Sequence, residues 1–310
     1  VALYAVTGAA GFIGSHLVDA LLAAGHDVRG LDDLSTGSRA NLDPRCPLIL
    51  GDVADPDAVR RLLEGTAGCF HLAAIASVAR TNEEWSLAHR TNMSGTVSVL
   101  EGARDAGNIP VVYASSAAVY GDLAGRTANE DQFPRPLSAY GADKLGSELH
   151  ASAAWHVHGV PTFGLRFFNV YGDRQNPCSP YSGVISIFAG RMAKGQSVTV
   201  HGDGHQVRDF IHVADVVRLL TAAMKHVHEA GGAAVANACT GRGITVLELL
   251  RILAEVHGRP PVIEFCAARA GDIRESVGDP TRAAALLGRT AQVSLEDGLA
   301  ALAEQRGIAA

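Results

Sequence analysis

Short apolar runs alternate with stretches of helical period through the first half of the chain. Leu3–Val6, Asp27–Asp32, Pro47–Leu50, Cys69–Ala74, Val111–Ser115 and Thr162–Arg166 read as strands. Phe12–Leu22, Glu84–Ala106 and Ser138–His158 read as helices. Alternating strands and helices of this kind predict an α/β fold, a doubly wound parallel sheet covered on both faces. Such sheets bind ligands at the carboxyl ends of their strands. Chemistry is therefore expected in the residues that follow each strand: Asp52, Ala73, Ser115 with Ser116, and Asn169.

The pattern changes after Gly172. Residues 173–183 are rich in Pro, Asn and Ser, and Val200–Gly204 reads as a turn. Asp209–Val227 has helical period, and Val235–Asn237 reads as a last strand. Beyond it come helices at Val246–His257, Thr281–Leu287 and Leu295–Gln305, and a strand at Val262–Glu264. The expected division is a larger parallel-sheet domain over 1–172, with 205–240 returning to it, and a smaller mixed α/β lobe from 173–204 and 241–310. No internal repeat is visible.

Composition narrows the function. The 310 residues are 47% hydrophobic and 19% charged, in the range of a compact globular protein. A net charge of −6 gives no electrostatic footprint for nucleic acid or an anionic membrane. No apolar run approaches the roughly 20 residues a bilayer requires, and a strand already at Leu3 does not resemble a signal peptide. Five scattered cysteines without C-x-x-C spacing, and thirteen histidines without H-E-x-x-H, predict neither disulfides nor a metal site. A cytoplasmic location is the expectation.

Between the first strand and the first helix lies Gly8-x-x-Gly11-x-x-Gly14. Glycines are needed where a backbone turns sharply and lets helix N–H groups approach a pyrophosphate. The second strand then ends in Asp32, whose carboxylate can accept both ribose hydroxyls of an adenosine and repels a 2′-phosphate. NAD is expected in preference to NADP.

Tyr140 and Lys144 stand four apart, on one face of a helix. A phenol titrates near 10, and a neighbouring ammonium favours the phenolate, a base able to take a proton from a sugar hydroxyl. Ser115 or Ser116, at the end of the fifth strand, would hold the substrate oxygen.

With these residues in place, the chain resembles the extended short-chain dehydrogenase/reductases, in the NAD-dependent nucleotide-sugar epimerase/dehydratase family. The shared motifs run nearly end to end. They include Thr7 with the three glycines, Asp32-Asp33-Leu34-Ser35-Thr36-Gly37, Gly51-Asp52 and His71-Leu72-Ala73-Ala74. Asn92, Ser115-Ser116-x-x-Val119-Tyr120-Gly121, Tyr140-x-x-x-Lys144 and Arg166–Gly172 follow. The tracts Gly202–Phe210 and Arg269–Arg274 complete the set. The resemblance implies a Rossmann domain plus a nucleotide-sugar lobe. It implies NAD held by Gly8, Gly11, Phe12, Ile13 and Gly14, by Asp32, Asp33, Ser35, Thr36 and Gly37, and by Asp52, Val53, Leu72, Ala73, Ala74 and Asn92, with Ser115, Tyr140 and Lys144 at its reactive end. It further implies subunits paired through the Glu84–Ala106 and Ser138–His158 helices.

Related 4,6-dehydratases carry Thr, Asp and Glu where this chain has Ser116, Ala117 and Ala118. Alanines cannot do that acid–base work, which leaves the epimerase set of Ser116, Tyr140 and Lys144. By resemblance Asn169, Arg208 and Arg269 would grip the substrate diphosphate, with Asp272 on a ribose hydroxyl and Arg274 as a third cation. Ser276 would border the sugar's C2 substituent. The expected reaction is 4-epimerisation of a UDP-hexose or UDP-N-acetylhexosamine. The alternatives are epimerisation of a UDP-uronic acid or dTDP-sugar, decarboxylation, dehydration or reduction, and nucleotide sensing without turnover.

Overall fold

A computed structural model describes residues 1–176, 183–268 and 273–305. The first half alternates strand and helix. β1 (Leu3–Thr7), α1 (Phe12–Ala23), β2 (Asp27–Asp32), β3 (Leu48–Leu50), α2 (Pro56–Leu63) and β4 (Gly68–His71) come first. Then follow α3 (Val78–Glu83), α4 (Trp85–His89), α5 (Gly95–Asp105), β5 (Val111–Ser116), α6 (Ala139–His158) and β6 (Thr162–Phe167). The second half holds β7 (Asn169–Tyr171), α7 (Val184–Ala193), β8 (Val198–His201), β9 (Val207–His212), α8 (Val213–Ala230), β10 (Ala233–Ala238) and β11 (Gly243–Thr245). It ends with α9 (Val246–His257), β12 (Ile263–Cys266), β13 (Glu275–Ser276), α10 (Thr281–Leu287) and α11 (Leu295–Gln305).

Seven strands form one parallel sheet in the order β10-β6-β5-β4-β1-β2-β3. The chain runs outward from β1 to β3, then crosses to β4 and continues the other way. The switch between β1 and β4 opens a crevice at the strands' carboxyl ends, as in doubly wound sheets generally. One face packs on α1 and α8 through Leu17, Val18, Leu21, Leu220 and Met224. The other packs on α2, α5 and α6 through Val59, Leu62, Val99, Ala103 and Ala151. A second core joins α7, α9 and α11 around Phe188, Leu249, Leu253 and Leu299. β9 is the hub of a second sheet, with β11 antiparallel and β7 and β13 parallel to it, and β8 pairs with β12. No helix among the described residues is long and apolar enough to cross a membrane.

Local chemistry sets the boundaries. Ser138 caps α6 by accepting from the Gly141 N–H at 3.1 Å, and Gly159 ends it at φ +75. Asp55 caps α2 ahead of Pro56, which fits the first helical position. Two expectations change. The helix expected over Glu84–Ala106 starts earlier, at Val78, breaks at Glu84 (φ −110, ψ 47), and widens to π winding over Arg90–Ser94. There the Thr96 hydroxyl donates back to the Asn92 carbonyl at 2.7 Å while the Asn92 amide is held by Ile75. The helix expected from Asp209 begins only at Val213, because Asp209–His212 is strand. The Asp209 side chain is fully buried and accepts the Thr240 N–H and hydroxyl and the Gly241 and Gly278 N–H groups. Residues 205–240 therefore divide: β9 pairs in the second sheet, and β10 joins the first.

Candidate active site

The turn between β1 and α1 has no room for side chains at Gly8 and Gly14. A Cβ on Gly14 would stand 2.0 Å from the Gly8 carbonyl oxygen, and one on Gly8, at φ +68, 2.9 Å from the Ala73 nitrogen. Gly11 occupies the N-cap of α1 without a side-chain cap, so the helix start offers N–H groups to an anion. This cradle lines a cleft of about 360 Å3 at the sheet's switch point. Asp32 closes one end, 8% exposed, with Oδ2 accepting the Ala10 N–H at 2.9 Å and Oδ1 the Leu34 N–H at 2.8 Å. Burial raises its carboxyl, and these N–H groups pull it back down. Each oxygen keeps a second lone pair for a ribose hydroxyl. Cradle and carboxylate together fit the diphosphate and adenosine ribose of a dinucleotide.

Phe12, Ile13, Asp33, Ser35, Thr36, Asp52, Val53, Leu72, Ala73 and Ala74 line the same cleft, with Ser115, Tyr140 and Lys144 at its inner end. Two expected residues do not line it. A Cβ on Gly37 would meet the Ala10 backbone at 2.9 Å, so Gly37 packs behind the turn. Asn92 is 1% exposed and brackets Ile75, accepting its N–H at 2.8 Å and donating to its carbonyl at 3.2 Å. It shapes the loop after β4 from behind. Thr7 and His71 support that loop too. The Thr7 hydroxyl accepts the Leu72 and Ala73 N–H groups at 3.1 Å and meets His71 Nδ1 at 2.8 Å. Burial takes the His71 imidazole down to about 3, so it is neutral.

A second cleft of about 710 Å3 adjoins the first, and Tyr140, Phe12, Ile13 and Phe167 line both. Ser116, Ala117 and Ala118 form one wall, and Asn169, Arg208 and Ser276 another. The β9–β13 register sets Ser276 beside Arg208. The Asn169 amide donates to the Asp209 carbonyl at 3.1 Å. Arg274 instead pairs with Asp203 at 2.8 Å, exposed and off both clefts. Arg269 and Asp272 lie outside the described residues.

Where the clefts meet, Tyr140 and Ser116 share the lining of the second cleft, and the Ser116 hydroxyl accepts the Ala118 N–H at 3.1 Å. Lys144, 3% exposed, donates to the Ala114 carbonyl at 2.8 Å, and its Nζ lies 5.8 Å from the Tyr140 ring centre. The electrostatics differ from the sequence expectation. Burial raises the Tyr140 phenol, and the opposing pull comes from Ser116 rather than from the ammonium. Lys144 is itself lowered to about 8 by burial, against the pull of Asp143. The polypeptide by itself thus holds the phenol protonated at neutral pH. The sequence motifs assign no role to Glu148, which accepts from the Ser115 hydroxyl and pairs with Arg166. Its signal was there: Glu148 stands four residues beyond Lys144, on the same helix face.

The chain is similar to known proteins along nearly its whole length. Residues 4–239 match the family described as the NAD dependent epimerase/dehydratase family. A UDP-glucose 4-epimerase of Mycolicibacterium smegmatis is 38% identical over 306 residues, covering 96% of each chain. A dTDP-glucose 4,6-dehydratase of Streptomyces griseus is 36% identical over 308 residues, covering 96% of this chain and 91% of the relative. The crystal structure of the Thermotoga maritima UDP-glucose 4-epimerase with UDP-glucose superposes with a TM-score of 0.93, at 37% identity and 98% coverage of both chains.

Proposed function

The chain belongs to the NAD-dependent epimerase/dehydratase family, and from that premise we propose that it interconverts the C4 epimers of a UDP-hexose or UDP-N-acetylhexosamine through a transient 4-keto sugar. The observation that carries this reading is the junction of the two clefts, where Tyr140 and Ser116 are the facing hydroxyls and Ala117 and Ala118 stand beside them. A bound nicotinamide dinucleotide would supply a reversible hydride acceptor for the sugar carbon. The protein does the rest. Gly8, Gly11 and Gly14 admit the diphosphate to the start of α1, and Asp32 takes the adenosine ribose. Ser116 holds the 4-oxygen, and Tyr140 removes its proton and later restores it. Lys144 carries the positive charge that favours the phenolate when protonated. Asn169 and Arg208 grip the diphosphate, a fork geometry that suits guanidinium, so that the keto sugar can turn over without leaving. Arg269 and Asp272 belong to this grip in the same reading.

A dehydratase needs an acid and a base at the two positions held here by alanines, which favours epimerisation over the chemistry of the Streptomyces relative. Ser276 is small and half-buried on the second cleft, which supports entry of an N-acetyl group. Pairing of two copies through α4, α5 and α6 is part of the proposal; Trp85 on α4 and Leu149 on α6 are exposed apolar residues, 64% and 63%. The test is to incubate the protein with UDP- and dTDP-sugars, acetylated and plain, and follow 4-epimers by NMR. Tyr140→Phe should remove more than about 99% of turnover while leaving NAD titration intact. A dehydrated product, or a Tyr140→Phe variant within tenfold of wild type, would reject the reading.

A further inference from the structure

Three consecutive residues of β5 are matched to three residues on one face of α6. The Ala114 carbonyl accepts from Lys144 at 2.8 Å. The Ser115 hydroxyl donates to Glu148 Oε1 at 2.5 Å. Ser116 and Tyr140 line the second cleft together. The helix positions are 140, 144 and 148, each four from the next, so one helical face reads out one strand end. Both hydrogen-bonded ties lie to one side of the third pair, which stands at the end of β5 and the start of α6 and is the pair to which the proposed chemistry falls.

The Ser115 tie has a costly anchor. Glu148 is 7% exposed and Arg166 5%, and they form a two-point pair, Nε to Oε1 at 2.9 Å and Nη2 to Oε2 at 2.7 Å. In β6, Arg166 is the register partner of Ser115. Its guanidinium stacks 4.7 Å from the Tyr120 ring centre, and the Tyr120 hydroxyl donates to Asn237 of β10 at 2.7 Å. A buried ion pair is a poor source of stability compared with well-packed apolar residues. What this one does is fix a carboxylate, with both oxygens directed, at a single spot on α6. Ser115 is 1% exposed, and its hydroxyl is spent on Glu148 rather than on the dinucleotide cleft.

We propose that Glu148, held by Arg166, is a positioning residue for the site: through Ser115 it fixes the end of β5 so that the Ser116 and Tyr140 hydroxyls keep their places in the second cleft. This rests on the reading of Tyr140 and Ser116 given above. Releasing Ser115 frees the strand end by one side-chain bond only, next to the residue that must hold the substrate oxygen.

The decisive variant is Ser115→Ala, which leaves the Glu148–Arg166 pair whole. The expected result is a kcat lowered at least tenfold, with KM and NAD affinity (calorimetric titration) within twofold of wild type. Tyrosine labelled at Cζ with carbon-13, with the Tyr140 signal identified by its loss in Tyr140→Phe, gives a readout independent of turnover. The Ser116 side chain lowers the Tyr140 phenol, so its titration midpoint should move up in Ser115→Ala. Ser115→Thr, which keeps the hydroxyl, should restore both kcat and midpoint. If Ser115→Ala does not fold, Glu148→Gln carries the same two measurements, with a smaller expected shift because the amide still accepts. An unmoved Tyr140 midpoint overturns the proposal, with or without lost activity, as does a loss confined to NAD affinity. If the wild type acts on no sugar nucleotide, the functional reading fails, while the titration still decides the positioning role.

Discussion

Lys144 should cost the fold stability, and replacing it should make the nucleotide-free protein more stable while abolishing turnover. The side chain is 3% exposed and burial lowers its ammonium from 10.5 to about 8. That displacement corresponds to about 3 kcal/mol against the folded state wherever the lysine is protonated in both states. Lys144→Met keeps the length and removes the charge. It also removes the bond to the Ala114 carbonyl, worth about 1–2 kcal/mol, so the net gain at pH 7 should be about 1–2 kcal/mol. In a chain of this size the melting temperature should rise by about 1.5–3 °C. The sign with pH is fixed by the two titrations. Between pH 8 and 10.5 the unfolded chain holds the proton that the folded one has released, so raising the pH stabilises the wild type and leaves the variant unaffected by this group. The advantage of Lys144→Met should therefore shrink from pH 8 upward and close before about pH 10. Calorimetric melting of both proteins at pH 7, 8, 9 and 9.5 measures it. A variant less stable than wild type at pH 7, by a margin that does not change with pH, would refute the reasoning.

Three further outcomes are expected. Gly14→Ala, a change that ordinarily stabilises a helix by about 1 kcal/mol, should here lower NAD affinity more than tenfold, because the new Cβ meets the Gly8 carbonyl at 2.0 Å; calorimetric titration checks it. Asp32→Ala should narrow the preference for NAD over NADP, and equal affinities in the wild type would remove the basis for that preference. Ser276→Tyr should lower kcat/KM for N-acetylated sugar nucleotides more than for plain ones, and an unchanged ratio would show that Ser276 does not border the C2 substituent.

The sheet, the glycine turn and the Tyr140–Lys144 helix were legible because each rests on a short-range pattern. Strand runs, a three-residue glycine spacing and an i to i+4 pair all declare themselves within a few residues. The failures share a different cause. Asp209–His212 reads as the first turn of a helix because Val213–Ala230 continues the same apolar period. Only the N–H groups of Thr240, Gly241 and Gly278, distant in sequence, make an extended segment preferable. The π winding at Arg90–Ser94 likewise depends on Ile75, which holds Asn92 from outside the helix. Glu148 was overlooked because a glutamate on an amphipathic helix ordinarily faces water, and Arg166 is brought to it by the sheet register. The raised phenol of Tyr140 is a property of burial, which no spacing reports.

The Asp209 carboxylate also bears on how substrate can enter. It fastens β9 to the segment leaving β10 and to the one following β13, so the three strands that converge there are bolted at one point. Hinging at that seam would break all four bonds at once and strand a charge in an apolar interior. Arg208 and Ser276, register partners on β9 and β13, therefore travel as one rigid jaw. Any gape of the second cleft has to come from the opposite rim, where Ala76, Val78, Ala79 and Asn82 sit on α3 and the loop leading into it. Exchange through the second cleft would then be timed by the short helix α3 rather than by the β9–β13 pair.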